Sequence, residues 1–93
     1  MRYFMKDLKK IVGINLKYYR YKEGLSQEEF YEKYKLSVKY FANLERGITN
    51  IKLDTLQLLA EVLKVSPTEL ITYDKQRIVT QKRIDEKSEK ITN

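Results

Sequence analysis

The sequence contains neither cysteine nor histidine. That double absence excludes disulfides, Cys/His zinc sites, imidazole bases and thiol nucleophiles together. No apolar run approaches the roughly 20 residues that a bilayer-spanning helix requires, and the opening ten residues carry charges where a secretory leader would be apolar. A cytoplasmic address with no membrane partner is the default expectation. Proline occurs once and glycine three times, with no repeats, low-complexity tracts or Gly-rich phosphate loops, which leaves little room for a second domain. Catalysis is not expected, because no nucleophile and base can be paired, and no cofactor or small-molecule ligand is implied. Glu28, Glu29 and Glu32 have helical spacing that could hold a hard cation, yet a solvated helix face is the simpler reading, so no metal is expected.

What is present fits one small soluble domain: 93 residues, 42% hydrophobic and 34% charged. The formal charge is +6, unevenly spread. Residues 1–22 hold seven basic groups and one acidic, residues 23–45 three and five, residues 46–73 three of each, and residues 74–93 six and four. A basic excess favours polyanions through counterion release and steering, although it also serves solubility.

Phe4, Leu8, Val12, Leu16 and Tyr19 recur at helical spacing, predicting a first helix, firm from about Ile11 to Lys22, with Gly13 a point where two helices could meet. Gly24 is placed to end it. Ser26 and Glu29 form a capping box for a second helix whose inward stripe is Phe30, Tyr31 and Tyr34. Lys35-Leu36 make a turn, and Ser37 caps a third helix with Phe41 and Leu44 inward and Val38, Lys39, Tyr40 and Asn43 outward. After Gly47 and a polar loop, Leu53, Leu56, Leu59, Ala60 and Leu63 define a fourth helix. Ser66-Pro67-Thr68-Glu69 starts a fifth, expected to run through about Tyr73. From Asp74 the chain is charged, and a packed extra helix, a dimer arm and a partly disordered tail all fit it.

A run of short blocks carries a family likeness. They are Gly24-Leu25-Ser26-Gln27-Glu28-Glu29, Leu36-Ser37, Leu44-Glu45-Arg46-Gly47, Leu53-Asp54-Thr55-Leu56, Ala60-Glu61-Val62-Leu63 and Val65-Ser66-Pro67-Thr68-Glu69-Leu70. Each is weak alone, but in this order and spacing, from about Ile11 to Ile71, the sequence resembles the lambda-repressor and Cro-like helix-turn-helix domain, the xenobiotic-response-element (XRE) family. The resemblance implies an all-α fold of five helices, with the third in the major groove and the second across the backbone. The expected organisation is an N-terminal extension of helix 1 over 1–10, the helix-turn-helix domain over 11–73, and a charged C-terminal helix or tail over 74–93.

The resemblance also assigns roles. Val38, Lys39, Tyr40 and Asn43 become base-reading candidates, lysine suiting guanine and asparagine adenine. Gln27, Ser37, Lys17, Arg46, Asn50 and Lys52 become candidates for phosphate contacts, Gln27 at a helix start where an anion is favoured. Arg20 and Glu45 occupy positions that the family commonly pairs, a structural ion pair whose buried form would cost about 3–5 kcal/mol to break. Three positions depart from the family pattern: Tyr31 where alanine or glycine is preferred, Lys35 in place of the turn glycine, and Ile51-Lys52 in place of a Pro-Ser cap. Ala42 is the small neighbour expected to make room for Tyr31. The implied function is a sequence-specific regulator of double-stranded DNA, a repressor acting as a homodimer on a palindromic operator, with Ile71, Ile78 and Ile84 at the dimer surface. Phage or mobile-element repressors and restriction-modification controller proteins are similar in length. A protein-interaction module, such as an antitoxin or adaptor built on the same five helices, is the alternative, and the acidic balance of residues 23–45 favours it.

Overall fold

The computed structural model describes residues 8–78. Their regular elements are all helical: α1 Leu8–Glu23, α2 Gln27–Lys33, α3 Val38–Glu45, α4 Leu53–Leu63 and α5 Pro67–Ile71. A further helical turn follows over 75–78. Expectations that fell on residues 1–7 and 79–93, including Ile84, lie outside the described residues.

α1 is one unbroken helix through Gly13, so no two helices meet there. The glycine is needed for proximity. A Cβ at position 13 would stand 2.6 Å from the carbonyl oxygens of both Leu44 and Glu45, so the backbone of α3 lies directly against α1 there. Gly24 then ends the helix at φ 69°, a left-handed conformation that glycine adopts without strain. The capping box forms in full: Glu29 N–H donates to Ser26 Oγ at 3.1 Å, and Ser26 N–H donates to Glu29 Oε1 at 2.9 Å. Phe30 and Tyr31 are buried on α2, whereas Tyr34 is only half-buried, because it is the helix's C-terminal cap and sends its hydroxyl outward to Glu23.

Lys35 adopts φ 58°, and the turn closes when Leu36 N–H donates to the Tyr31 carbonyl at 2.8 Å. Ser37 caps α3 by accepting the Tyr40 N–H, and Gly47 at φ 74° leads the chain away. α4 begins at Lys52 with no side-chain cap. Its inward stripe starts a turn later than the periodicity suggested: Leu56, Leu59 and Ala60 are buried, but Leu53, the first helical residue, is 83% exposed. α5 stops at Ile71 rather than Tyr73. Ser66 makes no side-chain cap: the Glu69 N–H donates to the Ser66 carbonyl at 3.0 Å, and the Glu69 carboxylate is taken by Tyr19 and Arg77.

Leu16, Phe30, Tyr31, Leu44, Leu59 and Leu70 are the heart of the core, one or two from each helix. α1 is the hub of this packing, touching α2, α3 and α5. Burying each such side chain contributes about 1.5–3 kcal/mol, so helices too short to persist alone are held by a shared centre.

Candidate nucleic-acid interface

The candidate reading unit is α2, the Lys35 turn and α3. Its far end is anchored by Glu45, a charged side chain that is buried at the last residue of α3. Both oxygens of its carboxylate are shared. Oε2 accepts Arg20 Nε–H at 2.8 Å and the Tyr31 hydroxyl at 2.5 Å, while Oε1 accepts Arg20 Nη2–H at 2.9 Å and Gln27 Nε2–H at 3.1 Å. Arg20 completes the fork by donating from Nη1 to the Leu25 carbonyl at 2.9 Å. Thus a single carboxylate joins α1, α2 and α3. Burial alone would weaken the Arg20 charge, but the hydrogen bonds and attraction of Glu45 outweigh it and hold the guanidinium above its ordinary pKa. Burial also pushes the Tyr31 phenol far up, and the adjacent Glu45 charge adds to that rise.

The four base-reading candidates are not equally presented. Lys39 is exposed and Asn43 half-buried. Val38 and Tyr40, expected to face outward, are partly packed against the core. Tyr40 lies edge-on to Phe41 with ring centroids 5.0 Å apart, and its hydroxyl points to the Asn50 carbonyl at 3.5 Å. Tyr40 therefore also braces the loop after α3.

Among the phosphate candidates, Gln27 is the first residue of α2 and half-buried, with one amide hydrogen engaged by Glu45. Its second amide hydrogen and the α2 N-terminus are the groups left to meet an anion. Ser37 Oγ already accepts the Tyr40 N–H at 3.3 Å, and its hydroxyl hydrogen can still be donated. Arg46, Asn50 and Lys52 are exposed around the α3–α4 loop, and Lys17 is half-buried on α1. Lys10 lies beside that loop too: a Cβ on Gly47 would stand 3.1 Å from the Lys10 Cα. α1 thus brings a basic residue to the loop that carries Arg46.

The Tyr31 ring stacks on Phe41, centroids 5.2 Å apart and planes at 21°, and meets Phe30 edge-on at 5.1 Å. No group of three acidic residues among the described ones could hold a metal ion.

A second polar cluster was missed by sequence reasoning. Asn15, only 1% exposed in the apolar register of α1, donates to the carbonyls of Leu70 and Thr72 at 2.8 and 2.9 Å. Arg77 donates back to Asn15 Oδ1 at 2.9 Å, to the Glu69 carboxylate at 2.9 Å and to the Tyr19 hydroxyl at 3.2 Å, and its guanidinium covers the Tyr18 ring at 4.7 Å. Asparagine in an otherwise buried stripe was the available signal for one half of this clamp. Nothing local marked Arg77.

This geometry, a capped α2 and a capped α3 joined by a left-handed turn and braced against a scaffold helix, is that of a helix-turn-helix. The helix-turn-helix family model matches residues 16–70. An uncharacterized HTH-type transcriptional regulator, y4dJ, of Sinorhizobium fredii is 42% identical over 66 residues, spanning 71% of this chain and 86% of that protein. The control protein C.SmaI of Serratia marcescens is 38% identical over 66 residues, spanning 71% and 79%. Among solved structures, a hypothetical transcription factor, NHTF, from Neisseria superposes with a TM-score of 0.68 at 28% identity, over 81% of this chain and 86% of that one. The chain belongs to the lambda-repressor-like, XRE-type helix-turn-helix family of DNA-binding transcriptional regulators. That family is one of regulators and not of enzymes.

Proposed function

We propose that the protein is a repressor that binds a palindromic operator in double-stranded DNA as a homodimer, in the cytoplasm. The observation that carries the reading is the way α3 is held: Ser37 caps its start, Glu45 is buried at its end, and Lys39 stands exposed between them. In this reading α3 enters the major groove, where Lys39 and Asn43 meet base edges and the exposed parts of Val38 and Tyr40 add apolar or hydroxyl contacts. Gln27, Ser37 and Lys17, with Arg46, Asn50 and Lys52 of the loop, hold phosphates, with Lys10 beside them. Such contacts supply grip and register while the α3 face supplies sequence preference. Reading with one short helix covers few bases, so two copies related by a two-fold axis, with half-sites about one helical turn apart, are the expected arrangement.

The dimer surface is placed at Ile71, which is 41% exposed and lines an apolar groove of about 360 Å³ with Leu8, Val12, Leu53 and Leu56. Ile78, half-buried beyond the Arg77 clamp, borders the segment proposed as an arm. Selection of bound sites from random duplex DNA tests the reading directly: recovery of a two-fold symmetric motif is expected, and absence of duplex binding at low salt would transfer the chain to the protein-interaction class. Sedimentation across concentration, with and without the selected duplex, tests the dimer. A chain that stays monomeric in both would contradict it.

A further inference from the structure

One residue of α2 meets α3 and the turn before it at several points. Tyr31 has no exposed surface, and three of its parts act at three points of the reading unit. Its carbonyl accepts the Leu36 N–H and closes the left-handed turn at Lys35. Its ring stacks on Phe41. Its hydroxyl donates to Glu45, which lies one helical turn beyond Phe41 on the same face of α3. The phenol therefore spans a full turn of the reading helix, touching it in the middle and at the end. A small residue at this position would let the two helices close together, whereas a ring imposes a separation. A hydrogen bond at the ring's far end then fixes how α3 is rotated about that spacer.

The hydroxyl is not what keeps Glu45 satisfied. Without it the carboxylate retains both bonds from Arg20 and one from Gln27. Its particular contribution is direction: it is a hydrogen bond from Tyr31, beyond the first turn of α2, to the end of α3, and it reaches the same carboxylate that holds Gln27 at the start of α2.

We propose that Tyr31 is a positioning residue for DNA reading, its ring spacing α3 from α2 and its hydroxyl setting the angle of α3 in the groove through Glu45. The inference rests on the DNA-reading function proposed above. It is tested with the full chain and with a duplex that the wild-type protein selects from random DNA. Affinities for that duplex and for a scrambled one of equal composition are compared for wild type, Tyr31→Phe and a chain carrying 4-aminophenylalanine at position 31, each at a temperature where circular dichroism shows it folded. In Tyr31→Phe the preference for the selected duplex should fall by about tenfold or more, the scale of losing one good base contact. Affinity for the scrambled duplex should stay within about twofold, because phosphate contacts dominate it. The amino variant, which keeps the ring and a donor, should recover the preference. An unchanged preference in Tyr31→Phe overturns the proposal. If Tyr31→Phe does not fold, the amino variant decides, supporting the proposal by retaining the preference and overturning it by losing it. A wild-type chain that selects no duplex overturns the DNA-reading function itself, a failure visible before any variant is made.

Discussion

Glycine and tyrosine at two buried positions set how closely this small domain can be assembled. At Gly13 helix propensity and packing have opposite signs. Alanine would gain about 1 kcal/mol as a better helix former, but its Cβ would press on two backbone carbonyls that cannot swing aside. Overpacking of this kind costs about 1–3 kcal/mol, so Gly13→Ala should lower stability, read as a reduced urea midpoint with an unchanged slope. At Tyr31 the predicted signature is in pH. The folded-state pKa lies above the unfolded value of 10.0, so the neutral phenol stabilises the fold fully below about pH 10 and that stability is lost as pH rises further. The loss should run at about 1.4 kcal/mol per pH unit for one such group. Burial and a carboxylate partner raise Tyr19 and Tyr34 as well, so the total slope is shared. Urea unfolding at about pH 9 and about pH 11 isolates Tyr31 if stability falls less between them in Tyr31→Phe, whereas equal falls would contradict a phenol raised by burial and by Glu45. Neither residue's role was legible in the sequence. Gly13 reads as a weak point in a helix because its reason lies on α3, 31 residues away, and Tyr31 reads as a misfit because its partner Glu45 is known only once the helices are crossed.

The helices themselves were legible wherever their signals were local. The Ser26–Glu29 box, the Ser37 cap and the glycines after α1 and α3 act within four residues of one another, so the chain alone places those ends. Reading failed where a local signal was captured by a distant group. Ser66-Pro67-Thr68-Glu69 has the composition of a capping box, yet Tyr19 and Arg77 hold the glutamate and the box stays open. The start of α4 failed differently, since periodicity cannot tell that Leu53 precedes the first turn to meet the core. Two helix-ending positions remain strained. Lys35 and Lys64 are both left-handed, at φ 58° and 60°, which costs an L-residue about 1–2 kcal/mol. Glycine removes that strain but gives back part of it through a freer unfolded chain, so Lys64→Gly should gain about 0.5–1 kcal/mol net. Thermal unfolding checks this, and Lys64 is the cleaner site because it lies after α4, away from the reading turn. No change in midpoint would mean that the strain relieved at Lys64 is no larger than the entropy glycine adds to the unfolded chain.

At the scale of the whole molecule, packing against α1 continues past the point where the composition changes. The sequence turns charged at Asp74, which invites a division there, but Arg77 is folded back over α1 and its side chain is only 13% exposed. Its ion pairs to Glu69 and Asp74 involve carboxylates about half-exposed to solvent, and pairs of that kind contribute little. The bond to Asn15 matters more, because Asn15 is buried and its Oδ1 accepts from Arg77. Removing a partner from a buried acceptor costs about 1–3 kcal/mol, so Arg77→Ala should be destabilising by that amount although it only trims a charge near the end of the described chain. Two truncations separate the clamp from whatever follows it. A chain ending at Tyr73 should lose that stability, and one ending at Ile78 should keep it, both read by urea unfolding. Dimerisation should part from stability if the arm lies beyond Ile78: the longer truncation product keeps the clamp and a full-strength fold yet associates more weakly than the intact chain. Equal stability of the two truncated chains would show that residues 74–78 are not part of the folded unit, and the clamp would lose its meaning.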